Sequence, residues 1–511
     1  MDFRRFIDPD HPWSFSLLIS LGYALAYLLL AWPQPMYFWS HSWMDAGDGL
    51  VMVWNVWLAG EQGLNFWSTN LLFAPEGVPL LTHSYAPLKG WIGALIPLPL
   101  VPSINTLILL SFALAGTFTF WVARRFVTQV WACLLAGYAF TFTGFHWAHA
   151  QGHMNLLSTE MLPLFALVWL RYEDRPDWRR AAIVAATLLA VALTDYYFAL
   201  YCGLLAALFI VGKRMPWIAI GRVAALALPT TGALALAVWR VSAGQELLGA
   251  HDPSTSPLDP LSMIVPGAHS RLGELTQAIW SSFAGNLHEN TVHFGVFVWI
   301  VILWKARCRR WWTVLVVFAV LALGERLTIL GHTLPVPLPY QLLEWVFPPL
   351  SLGGVPVRMV VMAALAASVL LAMGIARFEP RHALPIALLI MAELAPTARP
   401  LTQIDAPGWV QIVRDDAGEG ALFDPISPPG WAMVWQTRHG RPISGGSIAR
   451  TPYLSLALND RRLRELMSES PASLVRDGFG YVLLNGQEIP GEKLLWQEQT
   501  LRLYRLTGES P

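Results

Sequence analysis

The stretch WSFSLLISLGYALAYLLLAW, residues 13–32, decides what kind of fold this chain adopts. It carries no charge over a length that covers a hydrocarbon layer of about 30 Å, at roughly 1.5 Å of helix rise per residue. Arg4 and Arg5 precede it, Pro33 closes it, and no small-residue cleavage site follows. The run therefore reads as a retained signal anchor, not as a leader that is cut away. Working outward, similar runs recur near residues 104–123, 130–145, 157–170, 181–194, 197–212, 217–239, 291–304, 311–324, 357–376 and 382–395. That makes eleven expected transmembrane helices. The runs at 157, 181, 291 and 311 are short for a full crossing, and residues 91–101 read as a segment that dips into the bilayer.

Composition points the same way. Of 511 residues 55% are hydrophobic, 13% are charged and 25 are Trp, with a mean hydropathy of +0.46, which excludes an ordinary soluble domain. Basic and acidic residues balance at 34 each, so no cationic excess serves the phosphates of a nucleic acid. Cys133, Cys202 and Cys308 lie in or beside apolar runs, at spacings that fit neither a zinc site nor a disulfide framework. Lys and Arg crowd into alternate links: Arg4 and Arg5, Arg124 and Arg125, then 171–180, 213–222, 305–310, and Arg377 with Arg381. The opposite links hold Lys89, Arg240, Arg271 and Arg326, with Arg358 at the edge of a run. By the positive-inside rule the amino terminus is cytoplasmic and everything after about Pro396 is outside. In the tail, period-two stretches at 420–426, 480–485 and 501–506 read as strands, and 453–467 as an amphipathic helix. The expected fold class is thus an α-helical integral membrane protein with two domains. Residues 1–396 form a polytopic domain whose first outer loop is 33–103, and residues 397–511 form a small extracytoplasmic α/β domain.

The outward links hold the residues with chemical potential. The first is too long for a connector, and it opens with WMDAGDGLVMVWNVW, residues 43–57. On a helix Asp45 and Asp48 would share a face, where they could hold a divalent ion (magnesium or manganese), a proton or a substrate. The plainer alternative is a helix start, where Asp is favoured. His83, further along, is either a substrate contact or a loop histidine bonded to backbone. In GFHWAHAQGHMNLLSTE (144–160), His146, His149 and His153 share one helical face if the helix continues through Gly152, with Asn155 and Glu160 nearby. Such imidazoles could ligate zinc or another divalent ion, hydrogen-bond a polar substrate, or be structural. Asp195, in LTDYYFALY, is an acid near membrane depth, which costs about 2.5–3.5 kcal/mol and marks a function unless the turn sits at the interface. Arg358, in GGVPVRMVV, enters a run from the outer side, placed to meet a lipid phosphate or to snorkel. Glu289, Asn290 and His293 form a further group. Carboxylates, histidines and an arginine beside a membrane suit an enzyme that takes a group from a lipid-linked donor. A carboxylate would deprotonate the acceptor hydroxyl, and Arg358 or a divalent ion would stabilise the leaving phosphate.

Several patches carry a resemblance: MDAGDGLVMVWNVW and LLFAPEGVPLLTHSYAP, then FTGFHWAHAQGHMNLLSTEMLPLFALVWLR, LTDYYFALY, GGVPVRMVV, and the tail's MVWQTRHGRPISGGSIAR. Together they resemble a family of bacterial multi-span membrane proteins placed with the GT-C-type glycosyltransferases, which use polyprenyl-phosphate sugars as donors. The resemblance covers nearly the whole chain. It implies a GT-C-like transmembrane domain in the inner (plasma) membrane, a polyprenyl-phosphate sugar donor, and a glycan, lipid or protein acceptor outside. It also implies an essential acid early in the first outer loop, which by position is Asp48, with Asp45 second. The chain departs from better-known groups in lacking an Asp-Glu or Glu-Asp pair there, and its tail is smaller than the accessory domains of oligosaccharyltransferases. A non-catalytic protein that binds or translocates lipid-linked glycans would keep a groove and Arg358 without needing a base. A secondary transporter would show paired halves, and no such internal repeat is present in the sequence.

Overall fold

The computed structural model describes residues 12–244, 246–249, 252–346, 354–468 and 471–507; Arg4 and Arg5 lie outside these. Each of the eleven apolar runs is helical. Five helices among the described residues are long and apolar enough to cross a membrane: Trp13–Leu30, Leu100–Arg124, Tyr196–Lys213, Trp217–Ala243 and Pro356–Ile375. The others, such as Val130–Thr141, Val296–Lys305 and Pro380–Glu393, stop after 12, 10 and 14 residues. At about 1.5 Å per residue these rise about 15–21 Å, short of the layer. By length and composition alone, five of the eleven expected spans meet the requirement among the described residues.

The chain packs as two compact units. The first comprises the described residues of Met1–Phe38, Asn105–Leu234 and Ala250–Pro400. Its opening helix, Pro12–Leu30, buries Phe15, Ile19, Tyr23 and Tyr27, four residues apart, and exposes Leu17, Leu21, Leu25 and Leu29. That is the i, i+4 stripe of a helix with one protein-facing and one lipid-facing side. Tyr23 lies across Gly116 and Gly137, where a Cβ on Gly137 would come within 2.0 Å of the Tyr23 hydroxyl oxygen. The innermost helix, Val360–Ile375, is buried almost throughout and rich in Ala, so neighbouring helices approach closely. It packs on Arg309–Ala322, Val296–Lys305 and Val130–Thr141. Trp217–Ala243 passes through a π-helical turn at Leu228–Gly232, where Pro229 lacks the amide that an α-turn would use.

The ends of Met161–Asp174 mark two polar levels about 20 Å apart. At its C-terminal end Glu173 receives Nη1 of Arg310 at 2.8 Å and Nε1 of Trp169 at 2.8 Å, and its backbone carbonyl accepts from Lys213. This ties together links expected to be cytoplasmic. At the other end Glu160 accepts from the Ser111 hydroxyl.

The second unit comprises Trp39–Ile104, Ala235–Gly249 and the described residues of Leu401–Pro511. Its main sheet runs Lys493–Glu498, Leu501–Arg505, Phe479–Asn485, Ala421–Phe423, antiparallel except for the last pair. The strands expected at 420–426, 480–485 and 501–506 are all in it, and the expected helix is Tyr453–Ser468. Phe423, Phe479, Val482, Leu484 and Tyr504 form its core, which Ala74 of the first long link joins. That link is therefore half of a folded unit: His41–Ser42 pairs with Thr402–Gln403, and helix Asp48–Gln62 packs on helix Pro429–His439. Buried Arg462 clamps the two halves, with Nη2 2.6 Å from Glu76 and Nε 2.7 Å from Asp477.

Candidate functional site

Within the first unit, four segments bring charged and polar side chains to one place. Arg358 occupies the 3-10 turn Pro356–Met359 that opens the innermost helix; Pro356 suits that first turn, since it has no amide to leave unpaired. Asp195 caps helix Tyr196–Lys213, its Oδ1 accepting from the Phe198 amide at 2.9 Å. Glu289 sits in a loop fixed by Asn290, whose side chain donates to the carbonyls of Pro257 and Ala284 and accepts from the Asp259 amide. His149 ends the short helix Gly144–His149.

The central contact is a two-pronged ion pair. Arg358 donates from Nε to Glu289 Oε2 at 3.0 Å and from Nη2 to Oε1 at 2.5 Å, with both residues buried. Burial alone would raise the Glu289 carboxyl; the guanidinium beside it outweighs that and holds it down at about 2. Asp195 Oδ2 accepts from Asn155 Nδ2 at 2.7 Å. Burial raises the Asp195 carboxyl, against its hydrogen bonds and the field of Arg358.

Two acceptors in this cluster have no hydrogen-bond partner among the described residues: His149 Nε2 and Asn155 Oδ1. The Phe145 carbonyl lies 2.7 Å from His149 Nδ1 and can only accept, so Nδ1 carries the proton and Nε2 presents a lone pair. Burial holds this ring neutral, with its pKa down at about 3. The carboxylate of Asp195 fixes the amide of Asn155 in the same way, leaving Oδ1 turned elsewhere. Leaving such a buried acceptor unmet costs about 1–3 kcal/mol. A small cavity of about 10 Å³ adjoins Arg358, lined by Tyr197, Tyr201 and Tyr340.

The other expected site residues fall elsewhere. His146, His149 and His153 do not share a helical face, since the helix stops at His149 and a new turn begins at Met154. Gly152, with its low helix propensity, lies in the break. His149 and His153 still approach, ring centroids 5.7 Å apart, whereas His146 is fully buried and stacked on Phe112 at 3.9 Å. His293 is buried near the Glu393 carbonyl.

In the second unit Asp45 and Asp48 do not share a helical face either. Asp45 precedes the helix, and its Oδ1 accepts from the amides of Gly47 and Gly49 at 2.9 and 3.0 Å, which is the work of a helix start. Asp48 is the first helical residue and is exposed. His83 has both ring nitrogens engaged: Nδ1 accepts from the Ala449 amide at 3.0 Å, and Nε2 donates to Asn55 Oδ1 at 3.1 Å. Burial lowers its pKa to about 3. No group of three or more His, Cys, Asp or Glu side chains among the described residues is arranged to hold a metal.

Sequence reasoning missed the three tyrosines and Arg399. That guanidinium is buried among Trp147, Tyr27 and Phe112, 4.4, 5.4 and 5.7 Å from their ring centroids, and donates to Tyr27 and Gln34. Their signal was weak: aromatic residues are spread through the whole chain, and Arg399 lies in an irregular segment after the last apolar run.

Three solved structures are similar to this one. ArnT from Cupriavidus metallidurans bound to undecaprenyl phosphate matches with a TM-score of 0.49 at 8% identity, covering 97% of this chain and 99% of that one. The apo form of the same protein gives 0.47 at 10%, covering 94% and 98%. The archaeal oligosaccharyltransferase AglB from Archaeoglobus fulgidus, in complex with an inhibitory peptide and a dolichol-phosphate, gives 0.42 at 11%, covering 92% and 69%. None of the scores reaches 0.5, so no residue role is carried across. No curated protein matches the sequence. The chain belongs to the family described as a domain of unknown function, DUF6311, whose pattern matches residues 19–394.

Proposed function

We propose that this protein is a membrane glycosyltransferase that moves a sugar from a polyprenyl-phosphate-linked donor to an acceptor outside the cytoplasm. The observation that carries the reading is the pair of buried, unmet acceptors beside the Arg358–Glu289 ion pair. Unmet acceptors call for donors, and a sugar supplies them as hydroxyl groups. His149 Nε2 and Asn155 Oδ1 would each receive one, recovering the desolvation cost of about 1–3 kcal/mol per group. Arg358 supplies a buried cation: Glu289 takes its Nε and Nη2, which leaves Nη1 for a phosphate oxygen. As the bond from sugar to phosphate breaks, negative charge grows on the phosphate, and a fixed guanidinium in a dry setting favours that change.

The acceptor hydroxyl must lose a proton in the same reaction. Asp48 is the proposed base, on the resemblance in its loop, with Asp45 as the residue that sets its helix start. The remaining parts of the proposal are location and topology. The protein resides in the bacterial inner membrane with its amino terminus inside, the shorter helices complete eleven crossings with their flanking turns, and the tail is extracytoplasmic. The alternating basic links support this arrangement.

Purified protein in nanodiscs, given a panel of radiolabelled polyprenyl-phosphate sugars, should release polyprenyl phosphate and label an envelope glycan, lipid or protein. His149→Ala and Asn155→Ala should each raise the donor KM. If some donor binds tightly and none is ever turned over, transfer is wrong and the protein is a binder or carrier of lipid-linked glycans. If no donor binds, both fail.

A further inference from the structure

On the first unit, away from the Arg358 cluster, helices Pro12–Leu30, Val130–Thr141 and Pro380–Glu393 border an apolar groove of about 730 Å³. Small residues make it. Gly22 and Ala26 on one wall and Ala383 and Ala387 on the other leave space where larger side chains would have closed the helices together. A Cβ built on Gly22 meets nothing within 4 Å. From Pro380 to Met391 the groove follows twelve residues of one helix, a rise of about 16 Å at 1.5 Å per step. That is close to half of a hydrocarbon layer of about 30 Å, the depth of one leaflet.

The end of the groove is chemically distinct from its length. Tyr138 donates to the Met391 carbonyl at 3.0 Å, closing that end with a hydroxyl. Immediately beyond, Arg271 is anchored to the same helix end: its amide donates to the Ala395 carbonyl at 3.1 Å, and its Nε to Pro396 at 3.0 Å. Among the described residues, no hydrogen bond engages its two terminal nitrogens. Arg271 is exposed, and no carboxylate among the described residues pairs with it. It is also one of the few basic residues in the links expected to face outward, where the positive-inside rule disfavours cations without a partner.

We propose that the groove binds an anionic phospholipid of the surrounding bilayer, one acyl chain lying along Gly22, Ala26, Ala383 and Ala387 and the headgroup phosphate meeting Arg271. Arg271 adds a net positive charge at one end, which favours a headgroup of net negative charge over a zwitterionic one, and the apolar length fits an acyl chain of a single leaflet. The site does not depend on the proposed transferase activity.

Full-length protein released from nanodiscs of equal phosphatidylglycerol and phosphatidylcholine can be weighed by native mass spectrometry. The wild type should retain one phosphatidylglycerol in preference to phosphatidylcholine. Gly22→Phe fills open space without displacing a neighbour, so it should keep the wild-type thermal unfolding midpoint and lose the retained lipid at least tenfold. Arg271→Gln should keep a retained lipid but bind the two headgroups about equally. An unchanged lipid count in Gly22→Phe, or an unchanged headgroup preference in Arg271→Gln, overturns the proposal. So does displacement of the retained lipid by polyprenyl phosphate at equal concentration, which would assign the groove to the donor.

Discussion

Breaking the Arg358–Glu289 pair from one side and then from both separates its contribution to stability from its contribution to binding. Glu289→Gln keeps the shape of the side chain but removes the charge, and leaves a guanidinium that cannot lose its proton inside a buried site. Removing one partner of such a pair costs about 3–5 kcal/mol, mostly for the charge left behind. Arg358→Met strands the carboxylate instead, which can escape part of the cost by taking up a proton as its pKa returns upward. The Glu289→Gln loss should therefore be the larger of the two. The double variant Glu289→Gln/Arg358→Met removes both charges and should recover most of the loss seen in either single, because no uncompensated buried charge is left behind. Thermal unfolding of the four proteins in one detergent gives the cycle. The same proteins are then titrated with polyprenyl phosphate, which at a hundred times its Kd should stabilise the wild type by about 2.7 kcal/mol. The double variant should be stable yet show no such gain. If the double variant is as unstable as the sum of the singles, the pair is not a coupled unit. If it is stabilised like the wild type, Arg358 does not contact the phosphate.

Three further outcomes follow from the same geometry. Asp48→Asn should fold normally, since Asp48 is exposed, and should lower transfer by about 10²–10⁴ if it is the base. Asp45→Ala should instead cost about 1 kcal/mol of stability through the lost helix start, with transfer nearly intact. Equal effects on transfer from both would contradict this division, and radiolabel counting with thermal unfolding measures both. The Glu289 carboxyl is held near 2, below its unfolded value, so its contribution is present above about 4.3 and is lost as pH falls toward 2. Acid unfolding should steepen across that window in the wild type and flatten in the double variant, followed by tryptophan fluorescence. His83→Ala leaves the Ala449 amide and Asn55 Oδ1 without their partners, and should destabilise the protein by about 2–4 kcal/mol. Donor KM should not change; a rise in KM at constant stability would return His83 to the binding site.

The helical framework was legible because its cause is local. Runs such as 13–32 and 357–376 bury or face lipid along their whole length, so apolarity alone locates them. The tail strands were legible for a similar reason, since Phe479–Asn485 has β-rich, largely apolar sequence bounded by turn residues. What the sequence could not display is pairing at a distance. His41–Ser42 meets Thr402–Gln403 across some 360 residues, and nothing in either dipeptide marks the other. The first link therefore looked like a loop, although Ala74 sits in the core of the tail's sheet. Equal spacing misled in the same way for the acids and the histidines. It presumes a continuous helix, whereas Asp45 spends its carboxylate starting one and Gly152 lies where another has ended.

The cluster around Arg358 was partly legible, and the part that was not explains its chemistry. Each member was visible as a polar residue at the end of an apolar run, but the partners were not: Glu289 for Arg358, and Asn155 for Asp195. The first of those pairings leaves no net charge on the Arg358–Glu289 couple. A cation at the opening turn of a helix faces the positive end of the helix dipole, at a cost of roughly 0.3–1 kcal/mol, which Glu289 offsets in the resting protein. A substrate phosphate arriving at Arg358 meets a guanidinium already desolvated and already oriented, so the cost of preparing the cation has been met during folding rather than at binding. The same argument accounts for the unmet acceptors. His149 is held neutral by burial and Asn155 is held in one orientation by Asp195, so each presents a fixed lone pair that only a hydrogen-bond donor can satisfy. A phosphate alone has no donors to offer when fully ionised, and a sugar alone has no charge for Arg358. A sugar phosphate has both, and that combination is the ground for proposing a glycosyl phosphate rather than either part as the ligand.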